Sequence, residues 1–350
     1  MAYTTVNDSS AHFQIALYTG NGGTQSITND GNSNLKPDFM WIKDRSASND
    51  HKLQDSTRGS TYTIESNTNT AQYNDTTAIT SFNTDGFTTG NNGNTNTNSN
   101  NYVGWQWKAN GGTTASNSSG NITSTVQANT TAGFSIVKYT GNGSSNQTVG
   151  HSLGVTPDCL IWKNYDTDTS GWNWKIWHKA LTGTNIIVLN SANGEASSNG
   201  DVDALPTSTL FTVGTNGSTN GNTYDIICYA FNSIQGYSKF GKYTGNGNAD
   251  GTFVYTGFKP AFVIQKQINV NGEWWMMKDF KREPFNQVDK NLYPNQSNNE
   301  VDTNGIDLLS NGFKCRTSGA GSNGDGAIYM YMAFAENPLV ATNNVIALAK

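Results

Sequence analysis

Charge is scarce in this chain: Asp, Glu, Lys and Arg make up 13% of its 350 residues, against about a quarter in ordinary globular proteins. That scarcity argues against disorder of the charge-rich kind. The net charge is −5 and no basic run occurs, so the clustered Lys and Arg that track a phosphate backbone are missing and nucleic acid is not an expected partner. Cysteine is nearly absent. Cys159, Cys228 and Cys315 are an odd number, which gives no disulfide framework, and Cys159 and Cys228 lie in apolar stretches where a buried thiol is the plain expectation. No apolar stretch approaches the roughly 20 residues of a spanning helix, so membrane insertion is not expected. The first residues lack a basic segment followed by an apolar one, so no secretory leader is expected. No segment holds a capped 3.6-residue period, so helices are not expected either.

What remains is aromatic residues, 11% of the chain, set among Asn, Thr, Ser and Gly. Short runs of Val, Ile, Phe, Tyr and Trp between Asn/Gly/Asp/Ser clusters read as strands and turns. Asp85-Gly86 and Asn311-Gly312, each followed by Phe, supply hairpin turn chemistry. The run Tyr-Thr-Gly-Asn-Gly opens at Tyr18, Tyr139 and Tyr243. Each time, a Pro-led apolar run follows (Pro37–Lys43, Pro157–Lys163, Pro260–Lys266), and then an aromatic strand (Tyr102–Lys108, Tyr224–Phe231, Tyr329–Phe334) at nearly the same distance. Such spacing marks a repeated fold. The expected fold is all-β: three tandem jelly-roll-like antiparallel sandwiches. The expected division is an N-terminal arm at 1–12, copy one at 13–109, a polar linker at 110–132, copy two at 133–233, copy three at 234–338 and a tail at 339–350. Ile122 and Val126 suggest a short extended segment within the linker. The linker length predicts side-by-side packing of copies two and three, with more freedom for copy one. Trp41, Trp105, Trp162 and Phe262 lie in the most regular strands and are expected in cores.

Few constellations carry chemistry. There is no Gly-x-Ser-x-Gly elbow, His-Glu-x-x-His or phosphate loop, and His12, His51, His151 and His178 share no spacing. No enzyme is expected. Asp55/Arg58 and Asp279/Arg282 form Asp-x-x-Arg pairs, readable as a ligand clamp or as ion pairs pinning a loop across the sandwich edge. The structural reading is preferred, because a repeat keeps what its fold needs. Copy two has Trp177-His178-Lys179 in that place. Trp172, Trp174 and Trp177 are spaced to line a strand face, and Trp274 and Trp275 sit at the matching place in copy three, where adjacency sends them to opposite sides. Either these rings fill cores or some of them, Trp172, Trp174 and Trp274 being the candidates, form a flat platform for a sugar ring. Asp166-Thr-Asp168-Thr-Ser-Gly171 matches the first half of a calcium loop, but Trp177 stands where the bidentate Glu belongs. An EF-hand is excluded. A looser Ca²⁺ site at Asp166 and Asp168 stays open, and no cofactor is expected otherwise.

Tyr-Thr-Gly-Asn-Gly, Gly257-Phe-Lys-Pro260, Asp55-Ser-Thr-Arg-Gly59 and Asp85-Gly-Phe87 together resemble a repeat domain of uncharacterised structural proteins of marine tailed bacteriophages. The resemblance spans about residues 1–340. It implies a concanavalin-like or SPRY-like sandwich in a virion protein, here expected to be of tail-fibre or tail-tip type. An extracellular-looking composition without an expected leader fits assembly in the host cytoplasm and release by lysis. The expected partners are other virion proteins and a homo-oligomer, and loops that vary between copies on a held scaffold while keeping tryptophan point to lectin-like recognition of cell-surface glycan. The alternative it leaves is a capsid decoration or head fibre protein with a purely structural role.

Overall fold

The computed structural model describes residues 4–166 and 171–338. It is an all-β structure, 43% strand and 3% helix, built from antiparallel sheets. One strand order occurs three times. An opening strand (Phe13–Thr19, Phe134–Thr140, Ser238–Thr244) pairs with a closing strand (Asn101–Trp107, Asp225–Phe231, Ile328–Pro338). The closing strand pairs with the Pro-led strand (Phe39–Asp44, Cys159–Asn164, Phe258–Gln267), and that with a flanking strand (Lys52–Asp55, Lys175–His178, Met276–Asp279). A smaller sheet stacks on each of these larger ones. In copy one, Ile27, Ile79 and Phe87 of the small sheet meet Tyr18, Met40 and Tyr102 of the large one.

Register refines the alignment of the copies. Tyr18 faces Tyr102 and Tyr243 faces Tyr329, but Tyr139 faces Ile226. The copy-two counterpart of Tyr102 is therefore Ile226, not Tyr224. Residues 110–132 contain Ala115–Asn117 and Ser124–Asn129, which extend the large sheet of copy two beyond its opening strand.

The Pro-led strands are buried at every position. One face of each meets its own small sheet. The other faces meet one another: Phe39, Trp41, Trp105 and Trp107 of copy one, Phe134, Ile161, Tyr229 and Phe231 of copy two, and Phe240, Phe262, Met332 and Phe334 of copy three share one core. Phe39 stacks on Tyr229 at 4.3 Å, Phe13 on Phe334 at 5.3 Å, and Trp105 lies 5.6 Å from Phe262. A void of about 30 Å³ among these rings is lined by apolar and aromatic side chains of all three copies. It has room for about one water and no polar partners to hold it, so it stays dry. Copy one is thus packed against the others, where its linker length predicted more freedom. The arm joins the same core through Val6, with His12 edge-on to Tyr237. Trp41, Trp105, Trp162 and Phe262 are all buried. The three cysteines are free and buried.

Candidate functional site

The repeated motif is architectural. The hydroxyls of Tyr18, Tyr139 and Tyr243 donate to the carbonyls of Thr95, Thr219 and Ser322 at 2.7, 2.6 and 2.7 Å. At the first glycine (Gly20, Gly141, Gly245) a Cβ would overlap a carbonyl oxygen of the turn ahead of the closing strand. The second glycine (Gly22, Gly143, Gly247) has φ of 69°, 70° and 63°, the region where a side chain is strained. The motif asparagines are gripped by buried partners. The backbone N–H of Asn21, Asn142 and Asn246 donates to the Oδ1 of Asn96, Asn220 and Asn323 at 2.9, 2.9 and 3.1 Å. The Nδ2 of Asn220 in turn donates to Ser144 O and Gly214 O at 2.8 and 2.7 Å. Sequence reading passed over these three residues. Their signal is position: each lies six residues before the residue that faces the opening tyrosine.

The Asp-x-x-Arg pairs sit in the seams between copies rather than at a sandwich edge. Arg58 Nε–Asp55 Oδ2 and Arg282 Nε–Asp279 Oδ2 are both 2.6 Å, and all four side chains are buried. Burial disfavours the Arg58 charge, yet the Asp55 carboxylate holds its pKa above the ordinary value. Each aspartate also accepts a bond from the closing strand of another copy: Tyr229 OH→Asp55 Oδ2 at 2.8 Å and Trp105 Nε1→Asp279 Oδ2 at 3.1 Å. In register, Asp55 and Asp279 correspond to His178, which pairs with Cys159 as they pair with Phe39 and Phe262. The closing-strand residue opposite that seam is Met332, whose Sδ is 3.7 Å from Cys159 Sγ. Methionine has no proton to give, so an aspartate there would lack the donor it has in the other two seams. The neutral triad His178, Leu181 and Met332 replaces Asp, Arg and Tyr/Trp. His178 Nδ1 accepts the Ala180 N–H at 3.0 Å, as Asp55 Oδ1 accepts that of Thr57. Burial first, then the nearby Lys179, lowers the His178 pKa to about 3, which keeps it neutral.

A second cyclic contact explains the tryptophans. The residue just before each flanking strand is His51, Trp174 or Trp275. Trp174 Nε1 donates to Glu65 O at 2.8 Å, from copy two to copy one. Trp275 Nε1 donates to Val188 O at 3.2 Å, from copy three to copy two. His51 Nε2 lies 3.0 Å from Tyr293 O, closing the ring from copy one to copy three, while its Nδ1 accepts from Trp41. Trp174 is fully buried and has no face left for a sugar, which corrects its candidacy as a platform. Trp177 belongs to the separate inner core of copy two, because strand parity sends it to the face opposite Trp174. Trp172 is half-buried, packed over Gly217 and 6.1 Å from the Tyr224 ring. Asp166 is exposed and caps a strand start, its Oδ2 accepting the Asp225 N–H at 3.3 Å. Asp168 lies outside the described residues. Among the described residues no group of three or more His, Cys, Asp or Glu could hold a metal ion.

Trp274 is the nominated tryptophan that reaches solvent best, at 37% exposure. Its ring stands edge-on to Tyr293 at 4.8 Å. The two rings, with Gly272, Glu273, Met276 and Asn304, border a cleft of about 300 Å³, at the lower end of ligand-site sizes. It combines an aromatic wall with a carboxylate and an amide. That is the chemistry for a small polyhydroxyl group.

No helix is long and apolar enough to cross a membrane among the described residues. No curated protein and no solved structure matches the chain. One family model runs through all three copies, matching residues 8–338, in keeping with copies that share a core. The chain belongs to that family, described as a domain of unknown function, DUF7483.

Proposed function

We propose that this chain is a bacteriophage virion protein of tail-fibre or tail-tip type that binds cell-surface glycan and does no chemistry. The observation that carries the recognition half is the Trp274–Tyr293 cleft beside Glu273 and Asn304. A pyranose ring offers an apolar C–H face to the indole and hydroxyls to the acid and amide. The virion half rests on the resemblance of the repeated landmarks. The pairs readable as a ligand clamp, Asp55/Arg58 and Asp279/Arg282, are consumed in the seams, which leaves recognition to the exposed cleft. One site of this kind binds weakly, and display of many molecules on a particle raises the avidity. The test is a glycan array and whole-cell adsorption with the purified chain and with Trp274→Ala. Loss of binding in the variant supports the reading. Absence of binding by the unaltered chain sinks it, and so does hydrolysis of a host polysaccharide.

The second reading is a capsid decoration or head fibre protein. It is favoured by the cyclic contacts, which give one chain the form of a closed pseudo-trimer suited to a threefold position on a shell. Particle imaging that finds the chain on the head, together with unchanged adsorption when it is deleted, would select it.

A further inference from the structure

The three copies provide their own control for which exposed residues the fold requires. The small sheet of copy three has the strand Phe253–Tyr255 at its edge, paired with Gly312–Cys315. Val254 points inward, opposite Phe313, as Ile27 lies opposite Phe87 and Val149 opposite Phe211. The positions on either side of this inward residue point out. They are Ser26 and Thr28 in copy one and Phe253 and Tyr255 in copy three, all exposed, whereas in copy two Thr148 is half-buried and Gly150 is buried. In copy one Ser26 Oγ bonds Thr88 Oγ1 at 3.1 Å, a hydroxyl pair facing water. In copy two the preceding segment covers the edge, with Ile122 bridged to Val149 and Asn121 N–H bonded to Thr148 Oγ1 at 2.9 Å. In copy three the rings of Phe253 and Tyr255 are 43% and 58% exposed. Copy one satisfies the fold with exposed Ser and Thr at these places, so packing does not demand the aromatics.

We infer that this outer face of copy three is a second saccharide-binding surface, with Phe253 and Tyr255 as its platform for a neutral glycan. The inference rests on the glycan-recognition reading above and adds a site distinct from the Trp274 cleft. Alternate residues of one strand stand about 7 Å apart on the same face, so the two rings form one platform. Phe253 lies against Gly312, where a Cβ would be 3.1 Å from its ring. Register places Lys314 and Asp307 beside Phe253, and Leu309 beside Tyr255 across Gly312. The charges around the rings are already matched. Asp250 pairs with Lys314 at 2.6 Å and Arg316 at 3.2 Å, and Arg316 pairs with Asp307 at 3.2 Å. Two acids and two bases leave no net charge, so the face does not select an anionic or cationic ligand. It offers donors and acceptors to hydroxyls, and π faces to C–H groups.

The experiment is a glycan array with the full chain, Trp274→Ala, and the double variant Phe253→Ser, Tyr255→Thr, which installs the residue types of copy one. Circular dichroism checks the fold, and Tyr255→Ser alone serves if the pair does not fold. The double variant is expected to lose about tenfold or more in binding to neutral glycans, the scale of a lost aromatic anchor, with Trp274→Ala losing binding independently. Wild-type binding retained by the double variant, while Trp274→Ala loses it, overturns this site and leaves the functional reading standing. Binding confined to charged glycans also overturns it. Concentration-dependent self-association that the double variant abolishes overturns it as well, making the face a contact between two molecules through an edge strand. No glycan binding by any form removes the functional reading and this site together.

Discussion

At the scale of single residues, the seams pair chemistry with chemistry. Asp55 and Asp279 face donors, Tyr229 and Trp105, and carry an arginine partner. His178 stands in the seam where the closing strand presents Met332, with Leu181 three residues on in place of arginine. Substituting one member should therefore cost more than its own bonds. His178→Asp would leave a buried carboxylate without Arg or a hydroxyl, at a cost of about 3–5 kcal/mol. Adding Leu181→Arg and Met332→Tyr should recover most of it, a coupling that denaturant midpoints of the single, double and triple variants measure. Tyr229→Phe is milder, because Arg58 still holds Asp55. A loss of about 1–3 kcal/mol is expected. The gripping asparagines give a further residue-scale outcome. Asn220→Ala strands Gly214 O, Ser144 O and Asn142 N–H, each costing about 1–3 kcal/mol where it stays buried. Thermal unfolding of that variant against the surface change Asn222→Ala checks this. Equal melting temperatures would mean that water replaces the lost bonds.

At the scale of elements, the Pro-led strands end in buried lysines. Lys163 Nζ donates to Asn69 O of copy one and to Trp172 O at 2.9 and 2.8 Å, and Lys266 Nζ to Ala192 O of copy two at 3.3 Å. Lys43 Nζ bonds within its own copy, to Asp44 O at 2.7 Å. Burial lowers their pKa values to about 8, 7 and 8 for Lys43, Lys163 and Lys266, below an unfolded value of about 10.4. Below about pH 7 both states are largely protonated and the burial penalty is at its full size. Between about pH 7 and 10 the unfolded chain binds more protons than the folded one, so stability rises with pH across that window. Above it the buried tyrosines, whose pKa values are raised by burial, reverse the trend. The urea midpoint should be higher at pH 9.5 than at pH 7, with the rise flatter in Lys163→Met. A midpoint that falls over this range would mean that these amines are solvated.

At the scale of the whole molecule, the three copies form one cooperative body. Copy one contributes Phe13, Ile15, Phe39, Trp41, Leu53, Val103, Trp105 and Trp107 to the shared core. Exposing these on excision would forfeit about 1.5–3 kcal/mol each, a total on the order of the 5–15 kcal/mol by which a whole protein is stable. A fragment of residues 13–109 is therefore expected not to fold alone, and the full chain to unfold in a single transition. Calorimetry tests both: three separable transitions, or a folded fragment, would mean independent beads. Ion pairs add to the closure. Arg45 bonds Glu300 through two nitrogens at 2.9 and 2.8 Å, and Arg282 shares that carboxylate at 2.9 Å. Burial pushes the Glu300 pKa up, but the two arginines hold it below its usual value.

Local chemistry was enough to read the all-β class, the repeated landmarks and the buried tryptophans, because alternation, turn residues and aromatic runs act over a few residues. The unbroken apolar runs Phe39-Met-Trp-Ile42 and Phe262-Val-Ile264 also carried a signal that both strand faces are covered, although nothing in them says by what. Which surface covers the second face, why His178 stands in the place of aspartate, and which of Trp172, Trp174 and Trp274 meets solvent were decided only by tertiary packing. These properties depend on residues separated by a hundred positions or more, such as Trp105 and Asp279 or Tyr229 and Asp55. A linear pattern records which faces are apolar. It does not record which faces find each other, since burial rewards any complementary surface and only the assembled geometry selects one.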